Sequence, residues 1–308
     1  MDASPWSAAV QLVWDWVRVG NERYVSHPAF AAVYALLLDY AIMALYTVLD
    51  LTLGATDGPL AKYRLAKEEQ RLRWADYKRS FGVQLFNLIV FIGPLVALQS
   101  RWMPTLELPA VAPTFSQLVW HVLLYAILFD FLYWAWHTAQ HKSDFLYYYT
   151  HRLHHEHRSP SAVSSAHMQL VDVLLPGLFA TYAPWIVHSG NRPHPFTFLV
   201  WFTVCQIASY DVHVGYDFPL ALQNWMPLYG GPVAHFKHHR YSNVHFQPFF
   251  TYMDWLTGKR AKSASRRSGG GEASRMEQRV RKLSRMLETK TEFLYELRLE
   301  PDCARHVL

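Results

Sequence analysis

The 308-residue sequence is poor in the residues that mark most cofactor-binding motifs. Its two cysteines, Cys205 and Cys303, lie far apart and in no paired motif, which argues against a disulfide framework and a thiolate metal site. No G-x-G-x-x-G or other nucleotide-binding pattern is present, and the only glycine run, Gly269 to Gly271, sits in a Ser-rich stretch, so no bound nucleotide cofactor is indicated. The zincin pattern H-E-x-x-H is missing, because "HEHRS" from His155 places Ser159 where the second histidine belongs. So is the E-x-x-H of soluble di-iron bundles. The first 27 residues are polar and charged rather than an apolar core behind a basic start, and no cleavable signal peptide is expected.

Long apolar runs are abundant. From Pro28 to Leu53 the only charges are Asp39 and Asp50, and the run is long enough to cross a hydrocarbon core of about 30 Å as a helix. Similar runs follow at Phe81–Gln99, Ser116–Trp136, Val171–His188 and Pro195–Ser209. The last two contain Pro176, Gly177 and Pro184 or are short, which suggests a re-entrant or broken pair. The alternative for any single run is a buried core helix, but five in one chain predict an all-α polytopic membrane helical bundle of about four to five membrane segments. The connection Lys62–Arg79 is strongly basic, whereas Ser100–Thr114 has one Arg and one Glu, which places the former in the cytosol. Counting crossings from there puts the C-terminus on the same side. The net charge of +5 is then a matter of topology and contact with anionic lipid, and no nucleic acid partner is needed.

Composition changes after Gly258. The chain divides into an N-terminal segment (1–27), a membrane domain (28–258), a basic Ser/Gly linker (259–272) and a tail (273–308). In the tail Met276, Val280, Leu283, Leu287, Leu294 and Leu297 follow a heptad stripe, which predicts an amphipathic helix over Ala273–Leu299 for packing or self-association.

Histidine is the residue this chain concentrates. His137 and His141 form H-x3-H at the end of the third run. His151, His154 and His155 form H-x2-HH, and His235, His238 and His239 repeat it. Residues three and four apart share a helix face, so each cluster can aim two or three imidazoles at one point. Six histidines between His137 and His157 repel if charged and lack partners if neutral; a metal resolves both. Eight ligands are too many for one tetrahedral zinc, and an almost all-histidine pair of irons is the reading that remains.

The boxes "HTAQH", "HRLHH" and "HFKHH" resemble those of the fatty acid hydroxylase and sterol desaturase superfamily of membrane di-iron oxygenases. The resemblance runs from about Ser26 to Gly258 and includes "FDFLYWAWH", "HVGYDFP" and "NVHFQPFFTYMDWLTG", which are similar to the cholesterol 25-hydroxylase-like branch. It implies a cytosolic histidine-box cap on an endoplasmic reticulum membrane bundle, with two irons held by His137, His141, His151, His154, His155, His235, His238 and His239. It also makes His213 a ninth ligand and Asp217 a candidate to complete the shell, its alternative being a turn residue before Pro219. The implied reaction is hydroxylation of a sterol or related lipid with O2, with electrons from a cytochrome b5 type carrier or a flavin reductase, for which the basic loop Lys62–Arg79 offers a docking place. Fatty acyl hydroxylation and lipid desaturation use the same site. From a different class, a histidine-rich metal transporter is the competing reading.

Where methylsterol oxidases carry an "AHPLE"-like segment, this chain has "MQLVD", with Gln169 and Asp172 in place of the histidine and glutamate. His167 and His245 also depart from the branch; each is either a hydrogen-bond donor to a ligand or, the simpler expectation, a surface histidine. Asp130 lies one turn-multiple before His137 on the same face of an apolar run, where an unpaired carboxylate is costly, so its expected partner is the imidazole N–H of a ligand. Asp254 and Glu156 are candidates for the same role.

Overall fold

The computed structural model describes residues 4–67 and 71–260. The linker and the expected tail helix lie outside the described residues. Helices α1 (Pro5–Arg18), α2 (Phe30–Leu51), α3 (Trp74–Trp102), α4 (Phe115–Lys142), α5 (Leu170–Val187) and α6 (Pro195–Asp211) are followed by α7 (Gly231–Tyr241) and α8 (Tyr252–Leu256). Of these, α2 to α5 are long and apolar enough to cross a membrane. The described residues contain no strand, only isolated bridges at Arg64–Tyr216 and Tyr229–Phe250. The all-α bundle is as expected.

Two features differ from expectation, each for a local reason. The N-terminal segment is not simply polar: α1 starts on Pro5 with the Ser4 side chain accepting from the Ser7 amide, and it buries Val10 and Trp14 against Phe196. Helix α3 begins at Trp74 rather than Phe81, because Asp76 accepts from the Arg73 amide at 2.7 Å and caps it inside the basic segment. Further along, a wide π turn at Leu88–Ile92 lets α3 continue into Pro94, whose ring would otherwise strike the carbonyl one turn back.

Helix α5 was expected to be broken and is continuous through Pro176 and Pro184. Pro184 has no N–H for the carbonyl of Ala180, and the Trp201 indole of α6 donates to that carbonyl at 2.8 Å. A neighbouring helix thus supplies the hydrogen bond that the proline removes. Ala180 and Ala183 are small enough to let α5 pack beside Tyr125 and Phe129 of α4, with Trp201 filling the space between.

The bundle has two distinct ends. Helix α4 runs toward His137 and His141, α5 returns so that His188 meets the Tyr125 hydroxyl at 2.6 Å, and α6 runs back to His213. At the end away from the histidines, the Trp14 indole donates to Pro109 O at 2.7 Å and Gln11 exchanges bonds with Ala110 and Ala112. At the histidine end, Arg64 pairs with Asp50 at 2.8 Å, and Arg79 pairs with Glu156. The basic segment and the histidines therefore share one end, as the charge pattern indicated.

Trp201→Phe should lower stability by about 1–3 kcal/mol, since it leaves a buried carbonyl unpaired. Adding Pro184→Ala should recover part of that loss by restoring the helical N–H, a coupling read by thermal unfolding of both single variants and the double variant in detergent.

Candidate metal centre

The histidine clusters do not act as three separate groups. His137, His141, His151, His155 and His238 bring their ring nitrogens within 4.8 Å of one another, and His154, His213, His235 and His239 do the same. Each H-x2-HH motif is shared between the two groups. His151 ends a π turn (Tyr147–His151) and His154 and His155 lie on a 3-10 turn, so His151 and His155 face the first group while His154 faces the second. On α7, His235 and His239, four apart, face the second group and His238 the first.

The Nε2 atoms converge. His137 and His151 approach to 2.9 Å, and His155 and His238 to 3.1 Å. In the second group the separations are 3.2 Å for His154–His213, 2.8 Å for His213–His235, 3.1 Å for His154–His239 and 3.0 Å for His235–His239. Four Nδ1 atoms point outward to backbone acceptors, Phe246 O from His137, Ser209 O from His213, Val244 O from His238 and His157 O from His239, all at 2.7–3.0 Å, whereas those of His154, His155 and His235 are buried without a partner. His151 Nδ1 lies 2.6 Å from Asp172 Oδ2. A proton held on Nδ1 by such a partner leaves the Nε2 lone pair free and inward.

Burial disfavours the charged form of six of these rings. Burial, followed by the neighbouring imidazoles, drives His154, His155, His235, His238 and His239 well below the usual histidine range. Burial lowers His213 to about 4. Inward lone pairs at these separations have no proton to share and suit a cation. Two imidazole nitrogens bound to one ion at about 2.1 Å, at a right angle, stand about 3 Å apart. Nine imidazoles and no thiolate in two groups fit two borderline ions such as iron, and five donors in the first group exceed a tetrahedral shell.

The candidate acids sit elsewhere than on the ligands. Asp130 is fully buried and accepts from the Phe249 and Phe250 amides at 2.8 and 3.0 Å and from the Gln247 side chain, not from an imidazole. Asp254 accepts from the amides of Phe246 and Gln247 at 2.9 and 3.1 Å. Both therefore shape the 246–250 loop, whose Phe246 carbonyl receives His137. Glu156 bonds His167 and Arg79, and Asp217 is exposed and accepts from Gln223 at 3.1 Å; Asp217 belongs to neither histidine group. His167 and His245, expected at the surface, are buried, the former between Glu156 and the His157 ring.

Sequence reasoning missed the role of Asp172. It holds His151 and is itself held by Gln140, whose Nε2 donates to Asp172 Oδ1 at 2.8 Å and to Thr150 at 3.0 Å. The available signal was an acid in the first turn of an apolar helix, the argument that was applied to Asp130. His213 is placed by a tight turn: Gly215, at φ +77°, lies where a Cβ would meet Pro160 O at 2.7 Å. Next to it the Tyr216 hydroxyl donates to Asp50.

A cavity of about 290 Å³ opens beside the second group, where His213 and His235 line it. Its other walls come from α2 to α6 and are mostly apolar. It has the shape of a lipid site leading to a metal site.

Asp172→Ala should weaken metal binding about 10- to 100-fold, as removal of a ligand's hydrogen-bond partner usually does. Asp217→Ala should leave it unchanged within twofold. Titration of the purified protein with metal checks both.

The fatty acid hydroxylase family model matches residues 122–259, a span that contains all nine histidines. The chain is 38% identical over 249 residues to a cholesterol 25-hydroxylase-like protein of Caenorhabditis briggsae, covering 81% of each chain. It is 36% identical to the Caenorhabditis elegans cholesterol 25-hydroxylase-like protein over the same shares. Cholesterol 25-hydroxylase of Rattus norvegicus is 31% identical over 81% of this chain and 82% of its own. No solved structure matches the chain. With its histidine boxes, its helical bundle and relatives along most of its length, the chain belongs to the fatty acid hydroxylase family.

Proposed function

We propose that this protein is a membrane di-iron oxygenase that hydroxylates a C–H bond of a sterol or related lipid, using O2 and electrons supplied from outside. The observation that carries the reading is the division of nine imidazoles, eight of them buried, into two converging groups beside an apolar cavity. The first group would hold one iron and the second the other. Bound iron supplies activation of dioxygen, one atom of which enters the substrate while the other leaves as water with externally supplied electrons and protons. The chain's own part is to hold the Nε2 atoms in place through carbonyl and carboxylate partners, to exclude water by burial and to present the lipid at His213 and His235.

The relatives named for cholesterol 25-hydroxylation support a sterol, and the family's own description supports a fatty acyl chain as the second reading. Transporter sites lie at mid-membrane on discontinuous helices. Here the histidines gather at one end of continuous helices, which supports the oxygenase. We place the enzyme in the endoplasmic reticulum membrane with the histidine end cytosolic, on the strength of the basic residues at that end. There an acidic electron carrier would find Lys62–Arg79, and the 273–299 tail would serve packing or self-association.

Cells expressing the chain and fed a panel of sterols and fatty acids should yield an O2-dependent hydroxylated product detectable by mass spectrometry. His154→Ala and His238→Ala, one from each group, should each abolish the product while membrane insertion persists. Full activity in either variant contradicts the assignment.

A further inference from the structure

The cavity has a polar wall that the metal site does not explain. Asp39 of α2 accepts from Gln84 Nε2 at 2.7 Å, from the Tyr210 hydroxyl at 2.8 Å and from Gln206 Nε2 at 3.4 Å, and all four residues line the cavity. Such a group inside an apolar bundle is costly and marks function more often than packing. Donation to Asp39 fixes the Gln84 amide, and its other end, Oε1, is buried with no hydrogen-bond partner. Gln84 is only 7% exposed. Tyr40, which also lines the cavity and packs edge-on against Phe81, has a buried hydroxyl that is unpartnered as well. An open acceptor, Gln84 Oε1, and an open hydroxyl, that of Tyr40, thus belong to residues that line the same cavity.

We propose that Gln84, oriented by Asp39, and Tyr40 form a recognition site for the hydroxyl group of the lipid that fills this cavity. The ligand chemistry follows from the open atoms. Gln84 Oε1 only accepts, so its partner must donate; the Tyr40 hydroxyl can donate or accept, so a group that does both pairs with it in either sense. A hydroxyl does both. A ketone cannot donate to Gln84, and a hydrocarbon leaves both atoms unpaired. The remaining lining, including Leu36, Ile92, Val173 and Phe202, suits the apolar body of such a lipid, and His213 and His235 lie on the wall where oxidation would occur. The inference rests on the cavity being the lipid site; it adds that the enzyme selects lipids that already carry a hydroxyl and holds them by that group.

The test measures binding rather than turnover, so that its failure is separate from a failure of the hydroxylase reading. Equilibrium binding to the purified holoenzyme is compared for cholestanol, cholestanone and cholestane, which differ only at one carbon, and for 1-octadecanol and octadecane. The alcohol should bind about 10- to 100-fold more tightly than its hydrocarbon in at least one series, the ketone falling between, as expected when one buried acceptor is left unpaired. Gln84→Leu should reduce that preference to threefold or less with metal content unchanged. Tyr40→Phe, which removes only an oxygen atom, should reduce it severalfold and serves if the Gln84 variant does not fold. Equal binding of alcohol and hydrocarbon in both series overturns the proposal, as does a preference that survives both substitutions.

Discussion

Neutral imidazoles with their Nε2 lone pairs aimed at one another about 3 Å apart repel unless something positive lies between them. Everything around the two histidine groups works to enforce that arrangement. Backbone carbonyls of Phe246, Ser209, Val244 and His157 fix the tautomers, and Asp172 fixes His151. Burial keeps the rings unprotonated and removes the water that would otherwise compete for the lone pairs. The ring arrangement is preorganised for cations, and the cost of assembling it is borne by the rest of the fold.

The supporting framework is mostly polar and lies one layer out. Asp130 and Asp254 do not touch the ligands; they gather the amides of residues 246–250 so that the Phe246 carbonyl stands where His137 needs it. On the other side Asp50 collects the Tyr77 and Tyr216 hydroxyls and Arg64, tying the turn that carries His213 to α2 and α3. The helices contribute rigidity, and the Trp201 bond to Ala180 shows how they keep it across a proline. Metal sites held in this way lose affinity when the outer partner is removed, even though every ligand remains.

The fold was largely legible because membrane helices announce themselves by length and hydropathy, and the boxes because H-x3-H and H-x2-HH spacings are geometric statements. What was hidden had two causes. The assignment of histidines to groups depended on local backbone: the π turn at Tyr147–His151 and the 3-10 turn at His154–Glu156 rotate neighbouring histidines into different groups, and no spacing rule on a regular helix shows that. Carboxylate partners depended on tertiary approach. The imidazole partner expected for Asp130 is replaced by loop amides distant in sequence, while Asp172 enters the sequence reading only as a departure from a family segment. The heptad tail from Ala273 was visible in the sequence alone.

The central claim is that the two histidine groups hold a pair of irons, one in each. Mössbauer spectroscopy of protein expressed with 57Fe and purified in detergent tests it directly. The account expects two irons per chain in nitrogen-rich sites close enough to be magnetically coupled, with His213→Ala disturbing one site far more than the other. A single uncoupled iron per chain, or two equivalent sites that His213→Ala leaves unchanged, would contradict it.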